Sequence, residues 1–430
     1  MKFLSLFTLL AFTVQVTYAD DQKAIETAIV AAVATDLPLA LTSLETAVNI
    51  NSGTMNFDGV KAVGAHFKAE LEALGFIASL TDGTPYDRAG HLTASYGTRG
   101  PKILMIGHLD TVFAKDDDFQ RFHAIDDTHI AGPGITDMKG GDVIIIAALR
   151  ALKKLGLLDE VSIKIVMTGD EERSGKPLTA SKKDLIDAAI WADIALGFED
   201  GDGNIKTAVT SRRGSVDWTL DVTGRPAHSS QIFKEGYGYG AIFEGARILN
   251  SFREQLSTVE NLTFNPGLIV GGTRINYEHQ EASGDAFGKN NVIAKSLKIT
   301  GGIRALSPEQ LENAKSVMQA IVADSLAETS AVLSFGEGYP PMAPTAGNAK
   351  LLAIYSDISM GLGYGEVLAV NPRNAGAADI AFAADHVDMA MDGLGLMGDG
   401  GHTVNEVADI TSLTKNIQKT AILIYRLSKE

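Results

Sequence analysis

The order of apolar and polar positions predicts a sheet that is covered by helices on both faces. Short continuous apolar runs at residues 103–106 and 162–167 are typical of buried strands. Helical spacing of apolar residues covers residues 20–48 and 143–152, the second stretch opening at Gly140-Gly141-Asp142. Because strands and helices alternate along the chain, the pattern favours the α/β class.

The pattern of apolar and polar residues changes near Arg213. Residues 215–222 alternate as a half-exposed strand does. The elements predicted after it are helix 240–256, strand 268–270, strand 292–303 and helix 308–328. This β-α-β-β-α-β-like set of roughly 115 residues has the size of a small inserted domain.

Residues 336–347, rich in glycine and proline, are predicted to return the chain to the first domain. That domain is completed by helix 349–360, strand 367–370 and helix 413–428. The predicted organisation is therefore a catalytic domain of residues 20–212 and 330–430 with an inserted domain of residues 213–329.

The first nineteen residues are predicted to be a secretory signal peptide. Lys2 supplies a positive start, residues 3–16 are mostly apolar, and Thr17 and Ala19 are small residues before a cleavage site. The alternatives are a short buried helix or a membrane anchor, but an anchor needs about 20 apolar residues. We therefore predict export to a periplasm or the medium, and no membrane association after the signal is removed.

The composition of the chain restricts its partners and its metal ligands. The chain has 37 basic and 53 acidic residues, a formal charge of -16. Such a surface repels nucleic acid phosphates and anionic lipids, so a nucleic acid partner is not expected. There are no cysteines, which excludes disulfides, thiol catalysis and cysteine-based zinc sites. Any metal must be bound by histidine, aspartate and glutamate.

His108 follows the first buried strand, with Asp110 two residues later. Side chains two apart on an extended chain point the same way, so Asp110 could accept the second ring N–H of His108. Alone, such a pair is more often an ordinary surface hydrogen bond. Asp137 lies in a glycine-rich loop before a helix, where it either caps the helix or serves as a carboxylate shared between two metals.

Glu171 and Glu172 come directly after the second buried strand. Neighbours on an extended chain face opposite ways, so one could bind metal while the other faces a metal-bound water. A solvated acidic turn is the alternative. Glu199 follows another apolar run, and His402 lies in a glycine-rich loop. Ligands at the carboxyl ends of successive strands are where an open α/β sheet builds its site, so these residues together favour a metal centre.

The chain resembles the M20 family of metallopeptidases, particularly its glutamate carboxypeptidase-like branch. The matching segments are GHLDTVF (107–113), GPGITDMKGG (132–141), TGDEE (168–172), GFED (197–200), GRPAHSS (224–230) and GDGGHT (398–403). The resemblance implies a zinc-aminopeptidase-like catalytic domain with a central mixed sheet flanked by helices. It also implies that the inserted α+β domain is ferredoxin-like and serves as a lid or dimerisation domain.

The resemblance implies two zinc ions, with Co²⁺ or Mn²⁺ as other divalent metals for such a site. His108, Asp137 and Glu199 would hold one ion. Asp137 would bridge to the second, held by Glu172 and His402. The peptide bond that follows Asp137 is expected to be cis.

Further roles also follow from the resemblance. Asp110 would orient His108, and Glu171 would be the general base and acid. His228 would stabilise the oxyanion, often across a dimer from the partner subunit, so the resemblance also implies a homodimer formed through the inserted domain. The remaining histidines His91, His123, His129, His279 and His386 have no such context and are interpreted as structural or surface residues.

Substrate contacts are expected at Asn291, Arg304 and Arg373. Ala294 replaces the proline that is common near the asparagine, and the loop after Arg373 is poorer in glycine and threonine than in the family. A guanidinium group at Arg373 could fork onto a substrate carboxylate.

The expected reaction is hydrolysis of a peptide or N-acyl amide, releasing a C-terminal amino acid such as glutamate. An aminoacylase, a dipeptidase or a desuccinylase-type deacylase would share every metal ligand. A catalytically inactive metal-binding relative is a different class of alternative, although Glu171 and the ligands are all present. A serine hydrolase fits poorly, because no Gly-x-Ser-x-Gly segment occurs.

Overall fold

A computed structural model of the chain describes residues 4–279 and 281–429, and side chains within residues 21–279 and 281–429. The predicted signal peptide, residues 1–19, lies outside the described side chains. The helices are α1 Leu4–Val48, α2 Phe57–Ala73, α3 Gly140–Lys154, α4 Leu178–Ser181, α5 Lys183–Trp191, α6 Gly240–Leu256, α7 Pro308–Ala323, α8 Ala346–Gly361, α9 Ala381–Ala384 and α10 Ile410–Leu427.

The strands follow in chain order. They are β1 Ile77–Leu80, β2 Leu92–Tyr96, β3 Lys102–His108, β4 His123–Ala124, β5 His129–Ala131, β6 Ser162–Thr168, β7 Ile194–Gly197, β8 Thr207–Ala208, β9 Val216–Gly224, β10 Thr263–Gly272, β11 Arg274–Glu278, β12 Ser283–Phe287, β13 Ser296–Arg304, β14 Thr329–Phe335, β15 Leu368–Ala369, β16 Met389–Met391, β17 Gly398–Asp399 and β18 Val407–Asp409. The chain forms two compact units. Unit 2 comprises Ser211–Pro344 and Asn371–Ala381, and unit 1 comprises the rest.

Unit 1 is built on a six-stranded sheet in the order β1-β2-β6-β3-β7-β16. Strands β6, β3, β7 and β16 are parallel to one another, β2 is antiparallel to β6, and β1 is antiparallel to β2. The central strands are continuous apolar runs because helices cover them, and residues such as Ile103, Met105 and Ile165 are fully buried. The predicted central mixed sheet flanked by helices is therefore confirmed.

Part of α1, residues 21–48, is long and apolar enough to cross a membrane by length and composition alone. No membrane association was predicted after removal of the signal peptide. In the structure Ile29, Leu44 and Val48 of this helix are fully buried in the core of unit 1. Of the apolar window 22% is buried, so one face of this helix packs against the core of unit 1.

Unit 2 contains a four-stranded antiparallel sheet in the order β10-β13-β9-β14. With α6 and α7 this gives the β-α-β-β-α-β arrangement of a ferredoxin-like fold around Trp218, Phe252 and Ile299. Strand β14 pairs with β9, so residues 330–335, which were predicted to lie in the catalytic domain, belong to this sheet. A separate hairpin, β11–β12, follows β10 and was not predicted.

Candidate metal centre

Three parallel strands of the six-stranded sheet end at the same edge and carry the candidate ligands there. His108 is the last residue of β3 and lies beside Thr168, the last residue of β6. Glu172 follows β6 in the chain, and Glu199 follows β7, which pairs with the other side of β3. Parallel strands bring their carboxyl ends together, so the topology explains why residues far apart in sequence converge.

Asp137 and His402 reach this edge from loops. Asp137 lies in the turn before α3, and its peptide bond to Met138 is cis, as the resemblance implied. His402 lies between β17 and β18, two strands of a small sheet ordered β17-β18-β5-β4. The φ angle of His402 is +62°, in the left-handed region that side-chain-bearing residues seldom adopt.

The first donor group consists of His108, Asp137 and Glu199, whose ligand atoms lie within 4.8 Å of one another. The Nε2 atom of His108 is 3.0 Å from Asp137 Oδ1 and 3.6 Å from Glu199 Oε1. His108 is buried and the two carboxylates are nearly so. The group therefore offers one nitrogen and two carboxylates with little competition from solvent.

The second donor group consists of Asp137, Glu172 and His402, again within 4.8 Å of one another. The Nε2 atom of His402 is 2.8 Å from Asp137 Oδ2 and 3.1 Å from Glu172 Oε2. Asp137 thus turns one oxygen to each histidine. A carboxylate with its two oxygens directed to two donor groups is the arrangement expected of a bridging ligand.

The charges in the two groups strongly perturb one another. Hydrogen bonds to Asp137 and Glu172 raise the pKa of His402 to about 11. Burial opposes the charged form of His108, but Glu199 and Asp137 raise the pKa of His108 well above its usual range. Burial and the neighbouring Asp137 raise the pKa of Glu199. A divalent cation would compete with these protons, because metal ligands must be deprotonated.

The donor set fits a pair of divalent cations. Two imidazoles and three carboxylates are ligands suited to zinc and similar ions, and three protein donors for each ion leave a position for water or substrate. The Oε1 atom of Glu172 is buried and has no hydrogen-bond partner among the described residues. A buried carboxylate oxygen without a donor is costly, and a cation would satisfy it.

The Asp110 carboxylate was expected to accept the second ring N–H of His108, but the backbone carbonyl of Asp110 lies closer to that ring nitrogen. The Nδ1 atom of His108 lies 3.0 Å from the Asp110 carbonyl oxygen and 3.6 Å from its carboxylate. The carboxylate accepts hydrogen bonds from the backbone amides of Glu171 and Glu172, at 3.0 and 3.2 Å, and from the Thr54 hydroxyl at 2.6 Å. Asp110 therefore ties the His108 strand to the turn that carries both glutamates. Burial raises the pKa of Asp110 to about 7.

Glu171 lies beside the donor groups, since its negative charge contributes to the raised pKa of Glu199. The preceding acid, Asp170, has a different task. Its Oδ1 atom accepts a hydrogen bond from the buried Lys182 ammonium at 2.9 Å, and Oδ2 accepts from the Gly175 amide at 2.8 Å. Three adjacent acids are tolerated here because Asp170 is paired with a lysine, which the sequence analysis missed.

In unit 2 the structure brings together two residues that were predicted to be functional. His228 forms an isolated antiparallel bridge with Val292, and the Ser229 amide donates to the Asn291 carbonyl oxygen at 2.9 Å. His228 Nδ1 is 2.9 Å from the Ser230 hydroxyl. His228 and Asn291 thus lie on adjacent segments of the same unit.

Arg304 and Arg373 converge on a third arginine that the sequence analysis did not select. Arg213, only 9% exposed, donates to the Pro372 and Arg373 carbonyl oxygens and, at 2.7 Å, to the Thr263 hydroxyl. Thr263 is the strand partner of Arg304. Burial and the charges of Arg373 and Arg304 lower the pKa of Arg213.

We call Arg213, Arg304 and Arg373 the arginine cluster. Within residues 21–279 and 281–429 no ion pair joins any of its three guanidinium groups to a carboxylate. Three positive charges at one place without an acidic partner favour binding of an anionic group. Arg213 stands at the start of the inserted domain, but nothing in the sequence around it connects it to residues 304 and 373.

Comparison with known proteins gives consistent results. The sequence profile described as Peptidase family M20/M25/M40 matches residues 104–426. Carboxypeptidase G2 from Pseudomonas sp. (strain RS-16) is 26% identical over 398 residues, which cover 91% of this chain and 89% of that protein.

Solved structures share the fold. The aminopeptidase PepT from Bacillus cereus aligns with a TM-score of 0.70 at 18% identity, covering 90% of this chain and 98% of its own. A dinuclear metal-binding peptidase of the M20 family from Bacillus subtilis aligns with a TM-score of 0.61 at 14% identity, covering 91% of this chain and 98% of its own. At these identities the likeness concerns the architecture.

Proposed function

Because the chain belongs to peptidase family M20/M25/M40, we propose that it is a two-metal hydrolase that releases a C-terminal amino acid, such as glutamate, from a peptide or N-acyl amide. The observation that carries the proposal is the position of Asp137, with one carboxylate oxygen at each of two donor groups. The resemblance to carboxypeptidase G2 over most of both chains supports the choice of a carboxypeptidase.

In this proposal the two donor groups would hold two zinc ions, and Asp137 would be a ligand to both. When bound, such a pair lowers the pKa of water to give a nucleophile at neutral pH and polarises the substrate carbonyl. His108 and Glu199 complete one group, and Glu172 and His402 complete the other. The name of the Bacillus subtilis relative, a dinuclear metal-binding peptidase, supports the count of two.

Glu171 is proposed as the proton shuttle. Asp110 holds its backbone amide, which fixes the turn on which the carboxylate is carried. The carboxylate accepts a proton from the attacking water and returns it to the leaving nitrogen. His228 is proposed, on the resemblance alone, to stabilise the oxyanion of the tetrahedral intermediate.

The arginine cluster is proposed to bind the substrate carboxylate. Arg304 and Arg373 are exposed, whereas Arg213 is buried and close enough to both for their charges to lower its pKa. A substrate that ends in a free carboxylate would supply an anion to these guanidinium groups. A C-terminal residue with an acidic side chain would supply a second anion. Aminoacylase, dipeptidase and deacylase activities remain alternatives, since they need the same metal ligands.

Export by residues 1–19 and a homodimer formed through the inserted domain stay predictions. Size-exclusion chromatography with light scattering would measure the oligomeric state of the mature chain.

The proposal is tested by release assays on a panel of substrates. Protein stripped with a chelator and reloaded with Zn²⁺ is given N-acyl amino acids and dipeptides that end in Glu, Asp, Leu or Lys. We expect activity only with metal, and the fastest release from substrates that end in Glu or Asp. Activity that survives metal removal, or that requires a free amino terminus, would contradict the carboxypeptidase proposal.

Arg373→Ala is expected to lower kcat/KM for substrates ending in Glu by about 10- to 100-fold, since a hydrogen bond to a charged group contributes roughly 1.5–3 kcal/mol. The substitution should mainly raise KM, and the loss of kcat/KM should be smaller for substrates ending in Leu. Arg253→Ala, at an exposed arginine of the same unit, is the matched control. Equal losses for acidic and apolar substrates would argue against a role in recognising an acidic residue.

A further inference from the structure

Glu406 is a fully buried carboxylate at the base of the loop that carries His402. Its backbone carbonyl oxygen accepts a hydrogen bond from the Gly132 amide at 3.4 Å, immediately before β18 pairs with β5. Its own amide donates to Thr403, inside the loop. The residue therefore stands where the loop returns to the small sheet.

The side chain of Glu406 binds a single turn, the one that carries Asp137. Oε2 accepts from the Gly134 amide at 2.8 Å. Oε1 accepts from the Thr136 amide at 2.8 Å, the Thr136 hydroxyl at 3.0 Å and the Asp137 amide at 3.2 Å. Four donors from three residues of this turn converge on one carboxylate, which fixes the backbone of the proposed bridging ligand.

The hydrogen bonds of the Glu406 carboxylate are not an ion pair with a nearby lysine. Lys139 is also fully buried, but its ammonium donates to the Ile50 carbonyl oxygen at 2.9 Å. The hydrogen bonds of Glu406 come from backbone amides and one hydroxyl. An acceptor with a full negative charge binds such donors about twice as strongly as a neutral oxygen does.

The other donors are anchored differently. His108 ends β3 and Glu199 follows β7, so both are held by the six-stranded sheet. His402 is 58% exposed, and within its loop the Thr403 amide donates to the Gly400 carbonyl oxygen. Glu406 therefore adds a side-chain connection between the His402 loop and the Asp137 turn to the backbone pairing of β18 with β5.

We propose that Glu406 is a positioning residue that locks the Asp137 turn to the base of the His402 loop, and so assembles the second donor group more than the first. This inference rests on the proposed two-metal function. Loss of Glu406 should weaken the Asp137–Glu172–His402 site strongly and the His108–Asp137–Glu199 site weakly. Partners that orient metal ligands from behind typically contribute 10- to 100-fold to metal affinity.

Glu406→Gln is the test, because glutamine keeps the size of the side chain but turns an NH₂ group towards N–H and O–H donors. Zn²⁺ or Co²⁺ is titrated into metal-free protein by isothermal calorimetry, with bound metal counted after equilibrium dialysis. We expect wild type to bind two ions per chain. The variant should bind its first ion nearly as tightly and its second about 10- to 100-fold more weakly.

Two further variants separate positioning from general loss of a buried acid. Glu244→Gln changes an equally buried carboxylate in unit 2, which accepts from Arg247 and the Leu326 amide, and should leave both metal affinities unchanged. Thr136→Val removes one of the four donors and should weaken the second ion by about 3- to 10-fold. Thr136→Val also tests the positioning role if urea titrations show that Glu406→Gln is poorly folded.

The outcomes are distinguishable. Two ions bound by Glu406→Gln with wild-type affinities, or equal weakening at both sites, would overturn the positioning role alone. Wild-type protein that binds fewer than two ions would overturn the two-metal proposal and this inference with it. Selective weakening of the second ion in both Glu406→Gln and Thr136→Val supports it.

Discussion

Replacing Glu171 with glutamine is expected to lower kcat by about 10²–10⁴-fold while two divalent cations remain bound. Glutamine has the same shape but cannot accept a proton from water. The backbone of residue 171 is held by the Asp110 carboxylate, and the neighbouring Glu172 points to His402 instead. The change therefore removes the proton shuttle without removing a metal donor.

The measurement pairs kcat, on the best substrate of the panel, with metal content determined by mass spectrometry. Glu160→Gln, an exposed acid just before β6, is the matched control and should retain full activity and full metal content. A Glu171→Gln protein with two ions and near wild-type turnover would rule out Glu171 as the base. Loss of metal in this variant would instead indicate that Glu171 is a ligand.

The strands and helices that could be predicted are those with strong patterns. Continuous apolar runs identified β3 and β6, and helical spacing identified α3, because these elements are buried by their neighbours in the same unit. Helix α6 was predicted with the bounds that the structure has. In such segments the local pattern and the tertiary packing favour the same structure.

Other elements depend on pairing that a single sequence does not reveal. The hairpin β11–β12 is largely exposed, so it has no apolar face to produce a pattern. Strand β14 alternates weakly, with Val332 exposed and Leu333 half-buried, and its register is set by β9 more than a hundred residues earlier. Two-residue strands such as β17 exist only because a partner strand lies beside them.

Some residues of the candidate site could also be predicted from the sequence, and others could not. Motif spacing led to His108, Asp137, Glu172, Glu199 and His402, and the structure brings these side chains into two overlapping groups. Their role as ligands stays a prediction. Sequence reasoning missed Arg213 and Glu406, since each acts through residues about 50 to 270 positions away and carries no local motif of its own.

The most severe effect on metal binding is expected from Asp137→Asn. Asparagine keeps one carbonyl oxygen but loses the charge and replaces the second acceptor with an NH₂ group. Asp137 offers a separate oxygen to each histidine, at 3.0 Å for His108 and 2.8 Å for His402, and among the described residues it is the donor that the two groups share. Both ions should therefore bind more weakly, unlike the selective loss expected when Glu406 is changed.

Turnover of Asp137→Asn should fall by about three orders of magnitude or more, because metal polarisation of the substrate carbonyl contributes several kcal/mol to the barrier reduction. Metal content by mass spectrometry should fall below one ion per chain at Zn²⁺ levels that saturate wild type. Asp126→Asn, in an exposed turn, is the control. An Asp137→Asn protein that keeps two tightly bound ions would show that the two groups do not share this ligand, and the bridged centre would have to be abandoned.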